Sequence, residues 1–151
     1  MTAVVTLRVD YGTNAATESN AVTAIELSDA DSLMGGTVDP GSNSYERWLR
    51  LRIDTAPVSG VTNFWFQNEG VLPDGVSLKF GVTDTAKTPV ATSSAIATTE
   101  LVPGRHYIWD ANTYDTVGDH TRYLVLQLQV AASAASGGID QQMPVIGWSE
   151  N

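Results

Sequence analysis

The side chains able to do chemistry are few and scattered. His106 and His120 are the only imidazoles in the 151 residues. His120 follows Asp119, with Asp115 close by, and serines are plentiful, so the inventory contains the parts of a Ser–His–Asp set. No serine sits in a Gly-x-Ser-x-Gly elbow, and Gly118-Asp119-His120 reads as a turn opening the next strand. Glycoside hydrolysis needs two acids roughly 5–10 Å apart in a cleft. Asp39, Asp74, Asp110 and Asp119 instead stand beside turn residues, where a carboxylate caps nearby backbone N–H groups. No catalytic residue is expected.

Metal ligation fares no better. Asp29-Ala-Asp31 and Asp110-Ala-Asn112 begin like calcium loops. The first places Leu33 where an oxygen ligand belongs. The second has Tyr114 at that place, Asp115 for the required Gly and Thr121 for the closing Glu. Gly35-Gly36 lacks the Lys-Ser/Thr of a phosphate loop. With no cysteine there is no disulfide, thiolate or Fe–S chemistry. No cofactor and no metal are expected.

Aromatic and arginine side chains offer binding instead. Trp65, Trp109, Trp148 and Tyr114 suit a sugar-binding face, and equally a protein interface, where Trp and Tyr bury area while their polar tips stay bonded. Trp48 falls on the same strand face as Arg50 and Arg52, so either a second sheet or a neighbouring subunit is expected to cover it. Arg47, Arg50 and Arg52 could make a local basic patch, read as a strand face or interface element. Acids outnumber bases 17 to 8, a net charge of −9, so nucleic acid is not an expected partner. The first ten residues carry Arg8 and Asp10 where a signal peptide would be apolar, and no run approaches the ~20 apolar residues of a membrane helix. The expectation is a soluble protein made without a classical export signal, with no membrane partner.

The elements that must position these groups are strands. Leu49, Leu51 and Ile53 alternate with Trp48, Arg50, Arg52 and Asp54. Val76, Leu78 and Phe80 alternate likewise, as do Val5, Leu7 and Val9. Within Tyr123–Val130, Leu124, Leu126, Leu128 and Val130 point inward, with Gln127 and Gln129 expected to face water. Weaker strands are expected at Ala21–Leu27, Asn63–Asn68, Arg105–Trp109 and Met143–Trp148. Asp39-Pro-Gly41, Leu72-Pro-Asp-Gly75, Pro103-Gly104 and Gly137-Gly138 supply turns. Ser28–Met34 reads as one helical turn or a loop. Tyr11–Asn20 and Ala131–Gly138, poor in side chains to bury, read as loops or as arms that order against a neighbour. The predicted fold class is all-β, an antiparallel β-sandwich or jelly-roll-like domain with an extended N-terminal segment. Residues 1–24 form the N-terminal strand and possible arm, and 25–151 the sandwich.

Ser44-Tyr-Glu-Arg-Trp-Leu-Arg-Leu51, Asn63-Phe-Trp65, Gly70-x-Leu-Pro-x-Gly-Val76, Thr88-Pro89 and Tyr123–Val130, in that order and spacing, resemble small virion proteins of tailed bacteriophages. Over roughly residues 44–140 the chain is similar to head decoration, or auxiliary capsid, proteins. The resemblance implies a β-rich protein, often a homotrimer, that sits on the capsid exterior of the virion and clamps neighbouring major capsid protein subunits without catalysing a reaction. It would place Trp48, Arg50, Arg52, Trp65, Trp109 and Tyr114 in or near subunit contacts, with a segment within residues 1–24 reaching a neighbour. A tail, neck or baseplate component and a carbohydrate- or receptor-binding module remain the alternatives.

Overall fold

The computed structural model describes residues 2–23, 25, 27, 38–135 and 144–151. Nine strands appear among them: β1 (Val4–Tyr11), β2 (Thr17–Glu18), β3 (Arg47–Thr55), β4 (Val61–Asn68), β5 (Val76–Thr83), β6 (Thr99–Glu100), β7 (Tyr107–Asp110), β8 (Tyr123–Val130) and β9 (Pro144–Glu150). They form a six-stranded sheet ordered β2-β1-β3-β8-β5-β6 and a three-stranded sheet ordered β7-β4-β9. Every pairing is antiparallel, and the two sheets pack against each other as an all-β sandwich, as the alternating pattern predicts.

The register puts Val9, Leu49, Leu51, Ile53, Leu78, Leu124, Leu126 and Leu128 on the inner face of the large sheet. Val61, Phe64, Phe66 and Trp109 of the small sheet meet them in one core. Each fully buried Leu, Ile or Phe contributes about 1.5–3 kcal/mol of transfer free energy, so this face holds the fold together. Asn63, at φ 52, lies in the register break of β4 between Thr62 and Trp65. The extra residue lets Phe64 and Phe66 point inward while Trp65 and Gln67 point out.

The outer face of the large sheet departs from expectation. Trp48 has no exposed surface, and neither a second sheet nor a neighbouring subunit covers it. Residues 84–98, a strap without regular structure between β5 and β6, fold across it instead. Trp48, Tyr123 and Val125 pack with Ala97, Ile96 and Ala86 of the strap and with Ala15. Gly81, the register partner of Val125, is the seat of the strap: a Cβ there would collide with the Ile96 carbonyl. Gln127, expected to face water, is fully buried beneath the strap.

The segment expected as a possible arm belongs to the sheet. β1 lies between β2 and β3, and Tyr11–Asn20 turns back through Gly12 (φ 77) and a short 3₁₀ turn at Thr13–Ala15. Tyr11–Asn20, expected as a loop or an arm, is instead a hairpin: Tyr11 ends β1 and Thr17–Glu18 pair back on it as β2, because the tight turn at Gly12 returns the chain to its own strand. The expected strand Ala21–Leu27 does not form among its described residues. Ser19 Oγ takes the Val9 N–H (3.0 Å) and Val22 N–H reaches Leu7 O (3.0 Å), so side-chain bonding displaces a regular ladder there. Ala131 N–H bonds Gly75 O, tying the described start of Ala131–Gly138 to the turn before β5. Asp29-Ala-Asp31, Gly35-Gly36, Ser28–Met34, Gly137-Gly138 and Met143 lie outside the described residues.

Candidate functional site

The densest polar constellation lies on the uncovered half of the large sheet's outer face. Alternation on β1 and β3 sets Thr6, Arg8 and Asp10 opposite Arg52, Arg50 and Trp48. Arg50 Nη2 contacts Asp10 Oδ2 at 2.9 Å and Glu18 Oε1 at 3.6 Å, and the guanidinium lies 5.0 Å over the Tyr123 ring. Tyr123 donates its hydroxyl to Asp10 Oδ2 (3.0 Å), and His120 Nε2 is 2.6 Å from Glu18 Oε1. Farther along, Thr6 Oγ1 donates to Asp54 Oδ2 (2.6 Å), with Arg8 and Arg52 at 3.8 and 3.7 Å from the same carboxylate.

Burial sets the electrostatics here. Asp10 is almost wholly enclosed, and loss of water raises its pKa above the ordinary carboxylate value, against the lowering pull of Arg50 and the Tyr123 hydrogen bond. Burial likewise pushes the Tyr123 hydroxyl up to about 12, helped by the Asp10 charge. Asp10 Oδ1 and Arg50 Nε have no hydrogen-bond partner. The network ties the β1–β2 hairpin to β3 and to the turn before β8. It is a structural ladder, in which the Ser19 hydroxyl is taken up by the Val9 N–H and the Asn20 carbonyl and the His120 ring by Glu18.

Two further polar groups anchor loops. Asp110 accepts from Tyr114 OH (2.7 Å), Arg122 N–H (2.8 Å) and Asn112 N–H (2.9 Å). Burial and that contact raise the Tyr114 hydroxyl to about 12. The turn-capping role expected of Asp110 is the one observed. Beneath the strap, Gln127 donates to Ser44 O (3.0 Å) and Thr92 O (2.7 Å) and accepts from Ser94 N–H (2.9 Å). Glu46 accepts from Trp48 Nε1 (3.0 Å) and from the Ser94 hydroxyl. Ser94 in turn accepts from Ile96 and Ala97 N–H. Among the described residues, no group of three or more His, Cys, Asp or Glu could hold a metal ion.

The expected interface residues therefore disperse. Trp48 and Trp109 are buried inside the chain and have no surface to offer another molecule. Tyr114 packs edge-on against Phe64 (5.7 Å), and Trp148 packs against the core. Arg50 is held in the ladder. Arg52 remains on the surface, its side chain 37% exposed. Trp65 alone of the tryptophans lies on an outer face, that of the small sheet. Its ring fills the space above Gly147, and His106 stacks on it at 4.4 Å. Beside it, Ile108 is 59% and Val145 49% exposed.

A second apolar region caps one end of the sandwich. Val58 is fully exposed at the tip of the β3–β4 turn, Val117 lies in the turn before β8, and Val4 starts β1. Val4 pairs with Thr55, and Gly118 N–H bonds Ile53 O, so all three valines flank the end of β3. Asp115 and Glu150 are exposed nearby, with no ion pair among the described residues. Sequence reasoning missed Val58 and Val117 because turn chemistry places a residue without saying that its apolar side chain has nothing to pack on. Comparison with protein-family models, with curated proteins and with solved structures found no match.

Proposed function

We propose that this chain is a structural virion protein that decorates the capsid of a tailed bacteriophage, binding major capsid protein subunits on the shell's exterior and catalysing no reaction. The observation that carries the reading is the valine end. Val4, Val58 and Val117 stand exposed beside Asp115 and Glu150, an apolar tip with a negative rim that suits a partner surface both apolar and basic. The polar clusters elsewhere bond chiefly within the chain, tying strands and loops together, and the resemblance of residues 44–140 to decoration proteins points the same way. Many copies on one shell would let modest contacts reinforce one another.

The test is co-sedimentation with empty shells of the encoding phage, followed by cryo-EM of the decorated particle. Density on the outer shell is expected. Failure to sediment with shells at physiological salt, or density confined to tail, neck or baseplate, sinks the reading. A carbohydrate-binding role draws on Trp65 alone, since Trp48 and Trp109 are buried and Trp148 packs the core.

A further inference from the structure

One oxygen of Asp10 is not used by the ladder. The residue is 1% exposed, and its Oδ1 has no hydrogen-bond partner among the described residues, while Oδ2 takes both Arg50 Nη2 and the Tyr123 hydroxyl. Four charged or titratable side chains face it: Arg50 from β3, Glu18 from β2, Tyr123 from β8 and His120 from the turn before β8. Two carboxylates thus share one guanidinium, with Glu18 Oε1 3.6 Å from Arg50 Nη2. Glu18 has the His120 ring as a second partner, whereas Asp10 has only a neutral hydroxyl. Of the two acids, Asp10 is the one that gains from a proton.

The β1–β2 hairpin closes over Asp10 from one side. Glu18 is its register partner, and Ser19 N–H bonds Val9 O (2.9 Å). The turn between the strands carries Ala15 into the cluster of Trp48, Tyr123, Val125 and the strap residues. Asn14 N–H reaches Thr88 Oγ1 (2.8 Å), which fastens the same turn to the strap. We propose that Asp10 operates a latch tightened by acid: the hairpin and the strap segment it grips open together as a local unit, less readily once Asp10 holds a proton. Opening lets water reach the carboxylate and favours its charged form. Closure favours the protonated form, and burial accordingly raises the Asp10 pKa above the ordinary carboxylate value. By linkage the closed state gains stability as pH falls through the folded pKa, and the gain is complete below the unfolded one. The latch does not depend on the capsid reading, which would survive its failure.

The experiment is native-state amide hydrogen exchange of the purified full chain by NMR, with each rate referred to that of an unprotected amide at the same pH. Protection of the Ser19 and Asn14 N–H groups should rise together, at least about threefold, between about pH 7 and pH 4. Gly104 N–H, bonded to Asn68 O beside the small sheet, should not follow. Asp10→Asn should abolish the rise, and His120→Gln should keep it. If Asp10→Asn fails to fold, an NMR titration of the Asp10 carboxyl carbon in the wild type decides, its midpoint being expected above the ordinary carboxylate value. Protection indifferent to pH, Ser19 moving without Asn14, or a rise shared by Gly104 would overturn the proposal. So would a rise that survives Asp10→Asn or vanishes in His120→Gln, or an Asp10 midpoint at or below the ordinary value.

Discussion

The outer face of the large sheet is divided between two ways of covering strands. Over β1, β2 and β3, long charged side chains lie across the sheet and neutralise one another, leaving the Arg50 side chain 23% exposed. Over β8 and β5 the chain itself does the covering: the strap at 84–98 leaves Trp48, Val125 and Gln127 with no exposed surface. The ladder keeps Arg50, Arg52, Glu18 and Asp54 partly hydrated, which weakens its pairs, and encloses one carboxylate, that of Asp10. The strap holds its polar groups dry, so each must be bonded, and each bond lost there is costly.

The comparison breaks most visibly at Trp48. Trp48→Ala should cost about 3–5 kcal/mol, as for other large aromatic-to-Ala changes in a core, read as a shifted urea midpoint. Gln127→Leu should cost about 2–3 kcal/mol, because it strands the Ser94 N–H and the Ser44 and Thr92 carbonyls under the strap. On the ladder side, Arg50→Gln leaves Asp10 without its nearest cation. About 1–3 kcal/mol is expected from chemical denaturation, below the cost of breaking a wholly buried pair because Arg50 is partly hydrated.

Asp10 sharpens the contrast through pH. Burial holds its folded pKa above the ordinary carboxylate value, so the folded state binds its proton more readily than the unfolded chain. The contribution is fully present below the unfolded pKa and is lost as pH rises through the folded one. The stability of wild type relative to Asp10→Asn should therefore increase as pH falls from neutrality toward 4, measured by paired denaturation curves. A difference that stays flat or moves the other way would contradict the burial-driven shift. The smallest effect belongs to Arg52→Ala, within about 0.5 kcal/mol, because its contact with Asp54 is long and well hydrated.

Much of the fold was legible because the period-two pattern is strong where one face meets the core. Tyr123–Val130 coincides with β8, and Val76–Phe80 and Trp48–Asp54 fall inside β5 and β3. The strap was not legible. Residues 84–98 are largely small and polar, with no periodicity to announce that they close over a sheet, and Gln127 and Gln129 look alike in sequence although only Gln127 is fully buried. The cue was Trp48, Tyr123 and Val125, three large side chains on a face otherwise marked for water. Trp109 misled for the opposite reason: aromatic character does not distinguish a core residue from a docking one, and its Nε1 is buried without a hydrogen-bond partner. Within the ladder, Asp10 and Glu18 stand in separate strands, and only the β1–β2 turn brings both to Arg50.

The position of β8 has a consequence for how the protein is made. It sits between β3 and β5, pairing Trp48 with Val125 on one side and Leu78 with Leu128 on the other. A nascent chain therefore carries two half-finished ladders, each with a bare rank of amides and carbonyls, until residues near 130 leave the ribosome. Such late, sequence-distant closure belongs to the slow, milliseconds-to-seconds class of β-protein folding. Until that central insertion occurs, the growing polypeptide is most vulnerable to pairing with strangers.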